Sequence, residues 1–113
     1  MISSENAQIV RMAELEIEAG FVEAYSAILS EEIEASVAME NGVLSLNAVS
    51  LCDRPHQIRI LEVYASQKDY EAHLQSPHFL KYKALTSHMI KSLRLVEVTP
   101  VKMCAKRSGT STE

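Results

Sequence analysis

An α+β sandwich is predicted for this chain of 113 residues, and three observations predict it. Hydrophobic periodicity alternates between two and about 3.6, in the order strand, helix, strand, strand, helix pair, strand. Turn and cap residues fall between the periodic runs: Ala19-Gly20, Asn41-Gly42, Asp53-Arg54-Pro55-His56, Ser66 and Ser76-Pro77. The two middle strands are apolar on both faces, as buried strands are. This order is the split βαβ, or ferredoxin-like, arrangement. Right-handed crossovers place both helical segments on one face of a four-stranded antiparallel sheet.

Each element has its own signature. Residues 9–18 alternate, with Ile9, Arg11, Ala13, Leu15 and Ile17 on one side and Glu14, Glu16 and Glu18 on the other. That is a strand with one solvated side near its end. Over 21–40 the period changes. Val22, Tyr25, Leu29, Ile33 and Val37 recur three or four apart and Glu23, Glu31 and Glu34 mark the opposite side, giving a long amphipathic helix. Asn41-Gly42 is expected to end it in the left-handed conformation. Residues 43–51 and 58–65 form an antiparallel hairpin. Leu44, Leu46 and Ala48 oppose Val43, Val49 and Leu51 on its first strand, and Ile58 and Ile60 oppose Leu61 and Val63 on its second. Ser66-Gln67-Lys68-Asp69 is a capping box with Asp as the acid, opening a helix to about residue 75. Ser76 caps the next helix and Pro77 suits its first turn. Phe79, Tyr82, Thr86 and Met89 or Ile90 keep helical spacing, and residues 93–98 form the last strand, stopped at Pro100. A leader (1–8), one domain (9–101) and a polar, disordered tail (102–113) complete the division.

The helices cover one sheet face only, so the apolar second face needs a cover. The simplest is a second copy, and a symmetric homodimer packed sheet to sheet is expected. A net charge of −4 argues against nucleic acid or an anionic membrane as the main partner. No run approaches the roughly 20 apolar residues of a membrane helix. The start, MISSENAQ, lacks the basic and apolar segments of a secretory signal. Cys52 and Cys104 fit no metal or redox motif and read as free thiols in the cytoplasm.

Three runs carry a family resemblance: Glu62-Val63-Tyr64, Tyr70-Glu71-Ala72-His73-Leu74 and Ser76-Pro77-His78-Phe79, with GVLSLN at 42–47 beside them. Together they resemble the antibiotic biosynthesis monooxygenase family of dimeric α/β barrels, over roughly residues 9–101. The resemblance implies that fold and a dimer. Among the family's varied activities it points first to oxygenation of a quinol-like or polyphenolic substrate by O₂ without a cofactor. An isomerase of a small phosphorylated metabolite, anchored by Lys81 or Lys83, and a non-catalytic ligand-binding or stress-related dimer are the other readings. In haem-degrading relatives the axial histidine lies ten residues after a helix Trp; here those positions hold His73 and Lys83. A protonated lysine is a poor iron ligand.

The resemblance points to His73 and His78, and the residue pattern itself adds further site candidates, each with a plainer alternative. His73 falls where relatives carry a pocket-facing side chain and can serve as general base, or it is a surface histidine. His78 lies in a first helical turn, where the dipole disfavours imidazolium, so it can accept a proton, or it simply packs. Glu62 sits in an apolar strand and calls for an ion pair with Arg11, Arg59 or Arg94, or it faces substrate. Asn47 can present an amide to a pocket or satisfy backbone groups. Tyr64, Phe79 and Tyr82 can line an aromatic slot or fill the core. His56, His73, His78 and His88 form no HExxH or similar set with carboxylates, so no built-in metal is expected. No GxGxxG or P-loop for a nucleotide cofactor occurs.

Overall fold

The computed structural model describes residues 7–106. Its elements run β1 (Ile9–Ile17), α1 (Val22–Met39), β2 (Val43–Leu51), β3 (Arg54–Tyr64), α2 (Gln67–His73), α3 (Pro77–Thr86) and β4 (Ile90–Glu97). The sheet is antiparallel, in the order β2-β3-β1-β4. This is the ferredoxin-like α+β class that the periodicity predicts. No helix among the described residues is long and apolar enough to cross a membrane. The leader and tail expectations fall largely on residues 1–6 and 107–113, outside the described residues.

Register decides which side chains face the helices. Ala13 pairs with Ile60 and Leu15 with Ile58, and these residues join Ile17, Tyr25, Leu29 and Met89 in the main core. Val43, Leu46 and Tyr64 form a second cluster. On the far face Val10 pairs with Val63, and Met12 pairs with both Leu61 and Val96. Further along that face Glu14 pairs with Arg59 and Arg94. The far face is therefore apolar at one end and charged at the other.

Five local expectations are corrected. The buried stripe of α1 is Tyr25, Leu29, Glu32 and Ser36, while Val37 is 46% exposed. The C-terminal half of α1 faces α3 and the end of α2, and that neighbourhood is polar. Asn41-Gly42 does not adopt the left-handed conformation; among the described residues only Gly20 has positive φ, at 93°. Gly42 is there for closeness, because a Cβ would overlap the carboxyl of Asp69. Strand β3 starts at Arg54, so the hairpin turn shrinks to Cys52-Asp53. Helix α3 ends at Thr86, leaving Met89 in a turn and Ile90 opening β4. A register shift between Val43 and Ser45 also breaks the parity of β2, leaving Leu44 exposed and turning Val43 and Leu46 to the same side.

Candidate active site

Three helix ends meet at this site. Ser66 accepts the Asp69 N–H at 3.1 Å and opens α2, which ends on His73. Ser76 then donates to the His73 carbonyl at 2.8 Å and accepts the Phe79 N–H at 3.3 Å, with Pro77 in the first turn of α3. This corner fixes the direction of His73 relative to His78. Glu40, the C-cap of α1, completes the meeting point.

His73 is 3% exposed. Its Nδ1 lies 2.9 Å from Glu40 Oε2, and His78 Nε2 contacts the same oxygen. Its Nε2 lies 3.5 Å from Glu32 Oε2, which accepts a hydrogen bond from Ser36 Oγ at 2.7 Å. The Phe79 and Tyr64 rings flank the imidazole with centroids 5.0 Å and 5.4 Å away. His73 is thus a buried imidazole held between two carboxylates.

Beside it lies a cavity of about 120 Å³ between the helices and the sheet. Leu29, Leu46, Ile60 and Phe79 supply apolar wall, and Glu32, Glu62, Tyr64, His73 and Tyr82 supply polar atoms. Leu93 and Leu95 also line it while remaining 54% and 50% exposed, an apolar border along β4. The Tyr64 hydroxyl donates to Glu62 Oε1 at 2.9 Å, and the Tyr25 and Tyr82 hydroxyls meet at 2.6 Å.

Burial dominates the site's electrostatics. It pushes the Glu32 and Glu62 carboxyls above the usual carboxylate range. It also pushes the Tyr25, Tyr64 and Tyr82 phenols up, so all three stay neutral. Burial acts on Glu40 in the same direction, but hydrogen bonds and charge from His73 and His78 outweigh it and its carboxyl is held low. The ionised Glu40 accepts the His73 Nδ1–H, and the Nε2 of the same ring is turned to Glu32 and the cavity.

Of the sequence candidates, His73, Glu62, Tyr64, Phe79 and Tyr82 line this cavity. His78 does not; it stands behind Glu40. Asn47 is exposed and pairs with Leu61, which puts it on the far face of the sheet. The expected ion pair of Glu62 is replaced by the Tyr64 hydroxyl. Arg11, its neighbour on β1, stacks 4.2 Å over the Tyr70 ring and pairs with Glu97 at 3.4 Å. Arg59 and Arg94 lie on the opposite face with Glu14. Lys81 and Lys83 are exposed and do not line the cavity.

Glu32, Ser36 and Glu40 escape a reading of residue spacing alone. The signal is their step of four along α1, with Glu32 seven residues after Tyr25 and three after Leu29. The expectation that the histidines lack a carboxylate set is also corrected. Donor atoms of Glu40, His73 and His78 all lie within 4.8 Å of one another.

The family model for antibiotic biosynthesis monooxygenases matches residues 8–85. The chain belongs to this family. A Bacteroides thetaiotaomicron VPI-5482 structure carrying the family's name is 40% identical, with TM-score 0.85, and the match covers 90% of this chain and 97% of that one. A structure from Lactobacillus acidophilus NCFM is 25% identical with TM-score 0.81, over 86% of this chain and 46% of that one. Rv0793 from Mycobacterium tuberculosis is 20% identical with TM-score 0.76, over 88% of this chain and 100% of that one, and shows the fold alone. Among functionally curated proteins, none matches. Family and relatives support a monooxygenase-like function in general terms.

Proposed function

We propose that this protein oxygenates a small quinol-like or polyphenolic ring without a bound cofactor, and that His73 takes the phenolic proton. The observation that carries this reading is the His73 imidazole, buried beside an apolar cavity with Nδ1 on Glu40 and Nε2 facing Glu32. A cavity of about 120 Å³ is of single-ring scale, since an apolar cavity of roughly 150 Å³ takes up benzene.

The chemistry needs little from the protein. Proton transfer from a hydroquinone to His73 Nε2 leaves an electron-rich phenolate, and the apolar wall keeps water from it. The phenolate then supplies the electrons that reduce O₂. One oxygen atom enters the ring and the other leaves as water, so that hydroquinone and O₂ give hydroxyquinone and water. Glu62, Tyr64, Phe79 and Tyr82 shape the slot, and His78 acts through Glu40. Among the described residues no lysine or arginine lines the cavity to hold a phosphate, which favours a phenolic substrate over a phosphorylated one. The working unit in this reading is a cytoplasmic homodimer whose partner covers the apolar end of the far sheet face.

Oxygen uptake on a panel of hydroquinones, with chelator present and no flavin added, tests the reading. The wild type is expected to consume O₂ in proportion to protein, and His73→Ala to lose about 10²- to 10⁴-fold. Uptake no faster than autoxidation would sink it.

A further inference from the structure

The cavity uses one side of His73 and leaves the other engaged with Glu40. There Glu40 Oε2, His73 Nδ1 and His78 Nε2 converge from three separate helices, all within 4.8 Å of one another. Orienting His73 needs only one acceptor. A second imidazole on the same carboxylate oxygen is more than that task requires. Two imidazoles and one carboxylate are, however, a complete protein donor set for a first-row transition ion, with coordination positions left for water.

Two further observations support a site rather than a chance cluster. A metal-binding histidine typically donates its other ring N–H to a carboxylate that is itself held in place. His73 Nε2 lies 3.5 Å from Glu32 Oε2, and Ser36 Oγ donates to that same oxygen at 2.7 Å. The outer support is already built. There is also an access route apart from the cavity. A groove lined by Met39, Glu40, Ser76, Pro77, His78 and Lys81 reaches the cluster from outside, and the Glu40 and His78 side chains are 17% and 14% exposed.

We propose that Glu40, His73 and His78 bind one divalent transition ion, of the Zn²⁺ class, and that its binding inhibits the protein. An ion on Nδ1 takes the lone pair there and leaves the ring proton on Nε2, donated to Glu32. In that tautomer Nε2 has no lone pair for a phenolic proton. The binding claim stands on the geometry alone; the inhibition rests on the role of His73 given under Proposed function.

The test starts from chelator-stripped full chain titrated with Zn²⁺ by calorimetry and with Co²⁺ by visible absorption. One ion per chain is expected, with ligand-field bands from nitrogen donors. Glu40→Gln and His78→Ala should each weaken binding by at least about 10-fold, and Glu32→Gln by about 10- to 100-fold. His88→Ala, which changes an exposed histidine outside the cluster, should bind as the wild type does. No saturable binding by the wild type overturns the site without recourse to any variant, as does binding that survives both Glu40→Gln and His78→Ala in folded protein. Zn²⁺ should also suppress oxygen uptake, with chelator restoring it. Binding without suppression, or uptake that requires Fe²⁺, overturns the inhibitory role while leaving the site. A wild type that binds Zn²⁺ but never consumes O₂ refutes the oxygenase reading and not the metal site.

Discussion

Glu40 Oε2 accepts a hydrogen bond from His73 Nδ1 at 2.9 Å, joining residues 33 positions apart in the chain. That bond holds the ring with its Nε2 turned to Glu32 and the cavity. Glu40→Gln keeps the size but offers an N–H to Nδ1, which favours the other tautomer. In the oxygenase reading kcat should fall, by up to about 10⁴-fold, with little change in KM. Steady-state oxygen uptake checks this, and an unchanged kcat would remove Glu40 from the mechanism.

The Tyr25–Tyr82 hydroxyl pair, at 2.6 Å, gives a prediction independent of function. Tyr25 is fully buried, so Tyr82→Phe strands its hydroxyl and should cost about 1–3 kcal/mol. Removing both hydroxyls leaves nothing unpaired. The double variant Tyr25→Phe/Tyr82→Phe should therefore be close to wild type in urea unfolding, and additive losses would refute the pairing.

Gly42 and Gly20 should respond to alanine for different reasons. A Cβ at Gly42 overlaps the Asp69 carboxyl, whereas at Gly20 the space is open and only the φ of 93° opposes it. Gly42→Ala should cost about 1–3 kcal/mol by crowding. In an Asp69→Gly background, which removes the overlapping Cβ as well as the carboxyl, that extra cost should shrink, while the cost of Gly20→Ala should not change.

Burial of Glu62 makes stability depend on pH in a defined direction. Its carboxyl is raised in the folded state above the ordinary 4.5, so its contribution is full below that value and is lost as pH rises through the raised one. Glu62→Gln should then unfold at a higher temperature than wild type at pH 8, the two converging near pH 4. The neighbouring Tyr64, His73, Glu32 and Arg11 are common to both proteins. A constant difference across pH would show that Glu62 ionises freely.

The far sheet face predicts assembly. Leu61 lies at its apolar end, paired with Met12 and Asn47. Leu61→Lys should convert a dimer to a monomer in sedimentation without loss of helical circular dichroism. A wild type that sediments as a monomer would refute the assembly.

Element order, caps and the alternation of β1 were legible because each depends on residues a few positions apart. Ser66 and Asp69, or Ser76 and Pro77, state their geometry locally. His73 was legible as a candidate only through family likeness, and its partners were not. Glu32 and Glu40 look like three other glutamates of α1 until the fold brings α2 against that helix. Asn47 was misplaced because β2 carries apolar residues on both faces, so its local composition does not say which face meets the helices. A carboxylate's distant neighbours are a property of topology.

Helix α2 has only 7 residues, too few to persist alone in water. Its two ends are fastened to the same short turn. Asp69 sits over Gly42, the Ala65 N–H donates to the Gly42 carbonyl at 2.8 Å, and His73 reaches back to Glu40. A rod pinned at both ends cannot roll about its axis. The loss of freedom needed to aim the imidazole is incurred once, during folding, and is not incurred again with each ligand that arrives. By the same token, the turn around residues 40–43 is a lever: a change made there, remote from the cavity wall, rotates the group that faces its contents.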